Sequence, residues 1–303
     1  MRETPPARRA TFEPELTSNA QPSAGNGRVR VVTDDTAALD PRIAAAYRVH
    51  IVPMVVEAVT QPPGDAESAR DRPADRLLTS APSPGKFLAA ITEPPAPAGV
   101  VIVTVAAGLS AAHSAATLAA RLSASAGGPS VEVVDSGSAA GGQALVALAA
   151  AQAAEHGLPT VSVAEAARHA TADVRLLGVI GSLDSLVRSG RVPSVVGAAG
   201  RLAGMHPLFE LRLGQVRALR PAFSRSAAVD RLAAAFRRDL RADAIVELAV
   251  SHASAASDAQ ELLERVSTHA PPALATVGGL GPAMLAHAGA GTLGLAWRWR
   301  ASP

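Results

Sequence analysis

A β-branched run that turns on a glycine into a helical pattern is the strongest structural signal in this chain. The run VVIV at 100–103 predicts a buried strand, and Ser110 begins the helical pattern that follows. Between them lie the small residues Ala106, Ala107 and Gly108. Such a corner presents backbone N–H groups at the helix start, which suits an acidic head group. Ligands of open α/β folds lie at this end of the strands.

Strands and helical patterns alternate through the first half of the chain at the spacing of βα units. Besides the strand at 100–105, strands are predicted at 29–33, 49–56 and 131–134. Helices are predicted at 34–47, from Pro84 with Ser83 as its N-cap, at 110–122, and at 139–156 with Gly157 as its C-cap. This alternation predicts an α/β fold with a doubly wound, mainly parallel sheet.

After Pro159 the pattern changes to mixed strands and helices. Strands are predicted at 174–180, 206–211, 216–219, 245–250, 274–277 and 293–299, and helices at 163–169, 194–203, 227–240 and 257–266. The strands 206–211 and 216–219 form a predicted hairpin through Gly214. In the last strand Trp297 and Trp299 alternate with Arg298 and Arg300, so one face is expected to be buried. We expect a disordered tail at 1–27, an N-terminal α/β domain at 28–158 and a C-terminal α/β domain at 159–303.

Composition excludes several classes of function. With 48% hydrophobic and 18% charged residues the chain can bury a large core, and its net charge of +2 argues against a nucleic-acid binder. It has no cysteine, hence no disulfide or thiolate chemistry. We find no signal peptide and no apolar run long enough for a membrane span, so at most transient membrane contact is expected. A cytoplasmic protein is the expectation.

Several polar groups have more than one interpretation from the residues alone. Asp34 and Asp35 cap the helix that follows or form a metal or phosphoryl site, and capping is favoured. Thr79 and Ser80 form a turn, cap the next helix or face a ligand, with a turn favoured. The arginines at 201–241 are a solvated face or a docking surface. No two histidines have metal-ligand spacing, and no nucleotide or hydrolase motif occurs, so neither a metal nor a cofactor is predicted.

Seven short segments occur in the order of a known family's motifs. They are TDDTAAL at 33–39, TSAPSP at 79–84, GLS at 108–110, VVDS at 133–136, LDSLVRSGRV at 183–192, HPL at 206–208 and GPAMLAHAGAGTLG at 281–294. Together they resemble the DegV family of fatty-acid-binding proteins, which includes the binding subunits of bacterial fatty acid kinase.

The resemblance implies that the chain holds one long-chain fatty acid in the apolar interior of its C-terminal half. Ser80, Ser110 and the backbone N–H groups near Gly108 are candidates for holding an oxygen of the head group. The resemblance adds Thr79, Ala106, Ala107 and His287, and it places the carboxylate at the boundary between the two domains. It implies a non-catalytic subunit that presents the carboxylate to a separate ATP-dependent kinase. Candidate residues for docking that kinase are Arg188, Arg191, Arg220 and Arg225.

The chain departs from the family at the head-group site. The family's serine pair is Ala106 and Ala107 here, so two side-chain donors are missing. We expect the acyl chain to bind still, with reduced selectivity for a free acid or a different head group. Two alternatives remain at this point. One is an interaction or regulatory module whose pocket is empty or sealed, and the other is an enzyme that uses Asp34, Asp135 and His287.

Overall fold

The computed structural model of the chain describes residues 27–59, 76–182 and 204–301. Within these ranges there are twelve strands and eight helices of at least one turn. Four predicted features lie outside the described residues: positions 1–26 of the tail predicted at 1–27, the helix predicted at 194–203, and the docking candidates Arg188 and Arg191.

The first sheet is parallel, with the strand order β2-β1-β5-β6. Its strands are β1 Val29–Asp34, β2 Val49–Val52, β5 Gly99–Thr104 and β6 Val131–Asp135. Its helices are α1 Pro41–Ala46, α2 Pro84–Thr92, α3 Ala112–Ser125, α4 Ala140–Glu155 and α5 Thr160–Asp173. Every residue of β5 is buried, as a central strand of a parallel sheet requires. The predicted α/β class and parallel sheet are confirmed.

The helix predicted at 34–47 is instead a 3-10 turn, Asp35–Ala37, followed by α1. Asp34 caps the turn, because its Oδ1 accepts a hydrogen bond from Thr36 N at 3.2 Å. Asp40 then starts a new helix by accepting from Arg42 N at 2.8 Å, with a proline at the first helical position. Two caps so close together divide the segment. The capping role predicted for Asp34 is present.

The strand predicted at 49–56 is also divided. Pro53 lies between β2 and a separate strand, β3 Val55–Val59, and proline cannot donate to a sheet ladder. β3 pairs in antiparallel fashion with β4 Arg76–Ser80, so that Val56 faces Thr79 across the hairpin. Thr79 and Ser80 therefore lie in a strand, and the turn favoured for them from spacing alone is wrong.

The second sheet is mixed, with the order β11-β10-β12-β7-β8-β9. Its strands are β7 Arg175–Val179, β8 His206–Arg212, β9 Gln215–Ala222, β10 Ala244–His252, β11 Leu274–Gly279 and β12 Leu293–Ala301. Its helices are α6 Arg225–Arg238, α7 Ala256–Ser267 and α8 Pro282–Ala288. The predicted hairpin is present, and its turn residues Leu213 and Gly214 both have positive φ, at 48° and 74°.

Helix α4 lies between the two sheets and packs against β1 and β5 of the first and β10 and β12 of the second. Fourteen of its residues are buried, and ten of these are alanine or glycine. A methyl group on Gly141 would lie 2.9 Å from the Ala249 side chain, so larger residues would push the sheets apart. The alanine-rich composition of this helix thus has a packing cause.

The other face of the second sheet is filled by α6 and α7. Phe236 of α6 packs edge-on against Trp297, with ring centroids 5.7 Å apart, and stacks on Trp299 at 5.9 Å. The burial predicted for the tryptophan face of β12 is confirmed. The arginine face is covered as well at Arg298, which is 8% exposed and contacts the fully buried Glu247, because α4 lies on that side.

Glu210 on β8 is a buried carboxylate between two arginines, and it makes the stability of the fold sensitive to acid. Arg175 and Arg217 each donate to it at 2.6 Å. Burial by itself would raise the pKa of Glu210, but these hydrogen bonds lower it below its ordinary value of 4.5. A carboxylate with a lowered pKa stabilises the fold above its unfolded-state pKa, and this contribution is lost as the pH falls through the folded-state value.

We therefore expect Glu210→Gln to lower the free energy of unfolding at pH 7 by about 1–3 kcal/mol. The difference in unfolding free energy between the parent and this variant should shrink as the pH falls below about 4.5, because the parent then loses the same interaction. Urea unfolding between neutral and acidic pH measures this. The exposed Glu261→Gln is the control and should track the parent. If Glu210→Gln lost the same unfolding free energy at every pH, the lowered pKa of Glu210 would be contradicted.

Candidate functional site

A cavity of about 390 Å³ lies between the first sheet, the second sheet and α8. This volume falls in the range of small-molecule sites, roughly 300–1,000 Å³. Most of its described lining is aliphatic. The polar lining residues are Thr36, Thr79, Ser80, Ser110, Ser251, His287 and Thr292. Among the lining residues that the structure describes there is no Asp, Glu, Lys or Arg.

The cavity is walled by both halves of the chain. The expectation placed the acyl chain in the interior of the C-terminal half, with only its carboxylate at the boundary between the halves. Val105 and Ala139 line the cavity from the first half, and Leu176 and Leu211 from the second. The reason is the packing of the second sheet: α6 and α7 fill one face, and the open space remains on the face toward the first sheet. These residues leave an open cavity, whereas one form of the regulatory alternative expected a sealed pocket.

A row of small residues crosses the second sheet and forms the floor of the cavity. The strand register aligns Gly278, Ser251, Gly294, Gly178 and Phe209 on five adjacent strands. Residues opposite each other in register point to the same face of a sheet. Ser251 and Gly294 line the cavity, and Phe209 is the only phenylalanine, tyrosine or tryptophan in its described lining.

Thr79 and His287 meet at the wall of the cavity. Thr79 Oγ1 lies 2.7 Å from His287 Nε2, a hydrogen bond whose direction depends on the imidazole tautomer. β4 supplies the threonine and α8 the histidine, from positions 208 residues apart. Gly289 ends α8 with a φ of 79°, a conformation that favours glycine. The pair places one hydroxyl and one imidazole beside a mostly aliphatic space.

Ser80 and Ser110 also line the cavity. Ser110 lies two residues before α3, and its Oγ accepts a hydrogen bond from the N–H of Ala112, the first residue of that helix, at 3.2 Å. Its hydroxyl proton is not used in that bond. Four of the seven residues expected at the head group, namely Thr79, Ser80, Ser110 and His287, thus lie around one space.

Ala106, Ala107 and Gly108 do not line the cavity. The N–H of Ala106 donates to Ser138 O at 2.8 Å, and the N–H of Ala107 lies 3.2 Å from both carboxylate oxygens of Asp135. The expectation that this corner offers free N–H groups therefore fails at Ala106 and Ala107. The corner has its own acidic partner already, in the side chain of Asp135.

The two remaining docking candidates differ in environment. The Arg225 side chain pairs with Asp258 at 2.8 Å and donates to Gly291 O at 2.6 Å. It therefore holds the loop after α8 in place, and its side chain is bonded to partners within the protein. Arg220 is exposed on β9, the last strand of its sheet.

The acidic residues of the enzyme alternative are engaged away from the cavity lining. Asp34 is fully buried and accepts from Val105 N at 3.0 Å and from Thr36. Asp135 accepts from Gly137 N at 2.8 Å in addition to Ala107.

Burial raises the pKa of the Asp35 carboxyl, and the nearby charge of Asp34 acts in the same direction. Within the described residues no group of three His, Cys, Asp or Glu can hold a metal ion.

Several lining residues were not anticipated from the sequence, among them Thr36, Met54, Phe209, Ser251 and Met284. Ser251 had one available signal, because it stands at the carboxyl end of a buried strand, where α/β folds place ligands. α8 was not anticipated either, although Gly281 followed by Pro282 is a helix start.

A sequence profile described as "uncharacterised protein, DegV family" matches residues 28–299. The chain belongs to the DegV family. Among curated proteins, none matches it. No helix within the described ranges of this DegV protein is both long enough and apolar enough to cross a bilayer.

Several solved structures share the fold of this chain at low sequence identity. A Thermus thermophilus DegV protein, described for its fatty acid binding, matches at 24% identity and a TM-score of 0.76, covering 89% of this chain and 99% of its own. A Thermotoga maritima protein described as revealing a fatty acid binding function matches at 20% and 0.76, covering 90% and 99%. A stearic-acid-binding protein from Eubacterium ventriosum matches at 20% and 0.74, covering 89% and 98%.

Proposed function

We propose that this DegV protein binds a long-chain fatty acid in the cavity between its sheets and holds the carboxylate at Thr79 and His287. The observation that carries the proposal is the cavity itself: an aliphatic space with a hydroxyl–imidazole pair, 2.7 Å apart, at its wall. Fatty acid binding by the Thermus and Thermotoga relatives, and stearic acid binding by the Eubacterium relative, support the same ligand class.

Burial of the acyl chain is the main driving force in this proposal. A sixteen-carbon acid buries about 14 methylenes at roughly 0.8 kcal/mol each, or about 11 kcal/mol before opposing terms. Loss of translational freedom and ordering of the chain oppose binding by several kcal/mol. The aliphatic lining supplies the apolar contacts that this balance needs.

The carboxylate has fewer partners here than the family pattern implies. Ala106 and Ala107 replace two serines of that pattern, and each hydrogen bond to a charged group contributes about 1.5–3 kcal/mol. The remaining candidates are Thr79 and His287, with Ser80 and Ser110 as further hydroxyl donors. We propose that the acyl chain of the ligand is bound tightly, and that the head group is recognised less selectively than in a relative that has the serine pair.

The resemblance extends the proposal to a partner. In this view the protein is a non-catalytic carrier in the cytoplasm that presents the bound carboxylate to an ATP-dependent kinase. Of the two docking candidates within the described residues, Arg220 on β9 has the more accessible side chain. Arg225 is a weaker candidate because it is paired with Asp258.

Extraction of lipid from protein purified without detergent tests the central proposal. We expect mass spectrometry to find about one acyl chain per protein, or uptake of added palmitate by delipidated protein. Gly294→Leu places a side chain on the cavity floor and should abolish this, whereas Gly279→Leu, with open space around it, should not. Absence of any acyl compound before and after incubation with palmitate would refute the proposal.

A further inference from the structure

The ring of Phe209 lies over a glycine of the neighbouring strand. Gly178 on β7 is directly opposite Phe209 on β8. A methyl group on Gly178 would lie 2.5 Å from Phe209 Cε1 and 2.6 Å from Cζ, so the ring occupies the space that a side chain at this position would take. An aromatic ring that covers a cross-strand glycine is a known way of packing such a gap.

This ring closes one end of the row of small residues on the cavity floor. At the opposite end, the carbonyl oxygen of Ala38 fills the space above Gly278. Ser251 and Gly294 lie between the two closures and are the open part of the row. Ala38 O belongs to the main chain, whereas Phe209 is a side chain that is only partly buried. Of the two closures, the ring is therefore the one that a single substitution can remove.

We infer that Phe209 limits the length of the acyl chain that the cavity accepts. This inference rests on the proposed fatty acid function and adds a specificity residue to it. Without the ring, the row is open as far as Gly178, and the space of the ring joins the cavity. With a larger group in its place, the cavity contracts. Each methylene gained or lost from apolar contact changes affinity by about fourfold, so small changes in available length are measurable.

Two kinds of substitution should move specificity in opposite directions. Phe209→Ala should shift the bound mixture toward longer chains. Phe209→Trp should shift it toward shorter ones, and Gly178→Ala should do the same by pushing the native ring into the cavity. Phe209→Trp leaves the backbone untouched, so the contraction is testable even where Gly178→Ala does not fold. Phe223→Ala is the matched control, because Phe223 is 71% exposed and outside the cavity lining.

The experiment is competition among straight-chain saturated acids from lauric to arachidic acid for delipidated protein, followed by extraction and mass spectrometry. We expect opposite shifts for Phe209→Ala and Phe209→Trp, and the parent distribution for Phe223→Ala. Identical distributions in parent and both Phe209 variants, or shifts in one direction only, would overturn the inference while leaving the proposed function intact. A parent protein that binds none of the acids overturns both.

Discussion

Glu247→Leu is expected to lower the free energy of unfolding by about 3–5 kcal/mol, because it leaves the Arg298 guanidinium buried without its counter-ion. The Glu247 side chain is fully buried and that of Arg298 is 10% exposed. Arg298 donates to Glu247 through Nε at 2.6 Å, and Gln152 of α4 donates to the same carboxylate at 3.2 Å. The pair therefore joins the central helix to the second sheet.

The double variant Glu247→Leu/Arg298→Met should recover most of that loss, since apolar side chains of similar volume replace both charges. Guanidinium unfolding of the parent, both single variants and the double variant completes the cycle. Arg168→Met is the control: Arg168 pairs with Glu132 at 2.6 Å on the surface, and its loss should cost under about 1 kcal/mol. If the loss of unfolding free energy in the double variant equalled the sum of the losses in the two single variants, the two charges would act independently.

Thr79→Val and His287→Asn are each expected to weaken fatty acid binding by about 10- to 150-fold, the equivalent of one hydrogen bond to a charged group. Because the two side chains are hydrogen-bonded to each other, their effects should not add. Titration calorimetry with palmitate measures both single variants and the double variant.

The alcohol of the same chain length separates the head-group effect from a change in the cavity. Cetyl alcohol carries no charge, so its affinity should fall much less than that of palmitate. Thr92→Val is the control, because Thr92 is an exposed threonine whose hydroxyl bonds within α2. Equal losses for acid and alcohol would mean that the substitutions deform the cavity rather than remove a carboxylate partner.

The elements of the fold follow from local patterns to a large extent. The β-branched run at 100–103 predicts a central strand, and the turn at Gly214 predicts a hairpin, because both signals depend only on neighbouring residues. The division of the segment 34–47 was missed because two caps, Asp34 and Asp40, compete within seven residues. Each of the two aspartates starts its own helical segment, so the second one divides what the pattern predicts as one helix.

The candidate site is harder to predict from short sequence patterns than the elements of the fold are. Thr79 and His287 meet only because α8 packs on the β3–β4 hairpin, and no periodicity relates positions so far apart. Their pairing was expected from the family resemblance alone. The extent to which the first half walls the cavity was missed, because it depends on which face of the second sheet α6 and α7 occupy. The alternating pattern of a strand shows that a face is covered and does not show what covers it.

The shared helix α4 has a consequence for how a ligand exchanges. A clamshell motion that parted the two sheets would strip α4 from one of them and expose apolar surface on both partners at once. The predicted division at residue 158 falls just after this helix, so α4 belongs to the first half in sequence and to both sheets in packing. For the proposed ligand, we therefore expect uptake and release through local movement at the rim of the cavity rather than through separation of the two sheets.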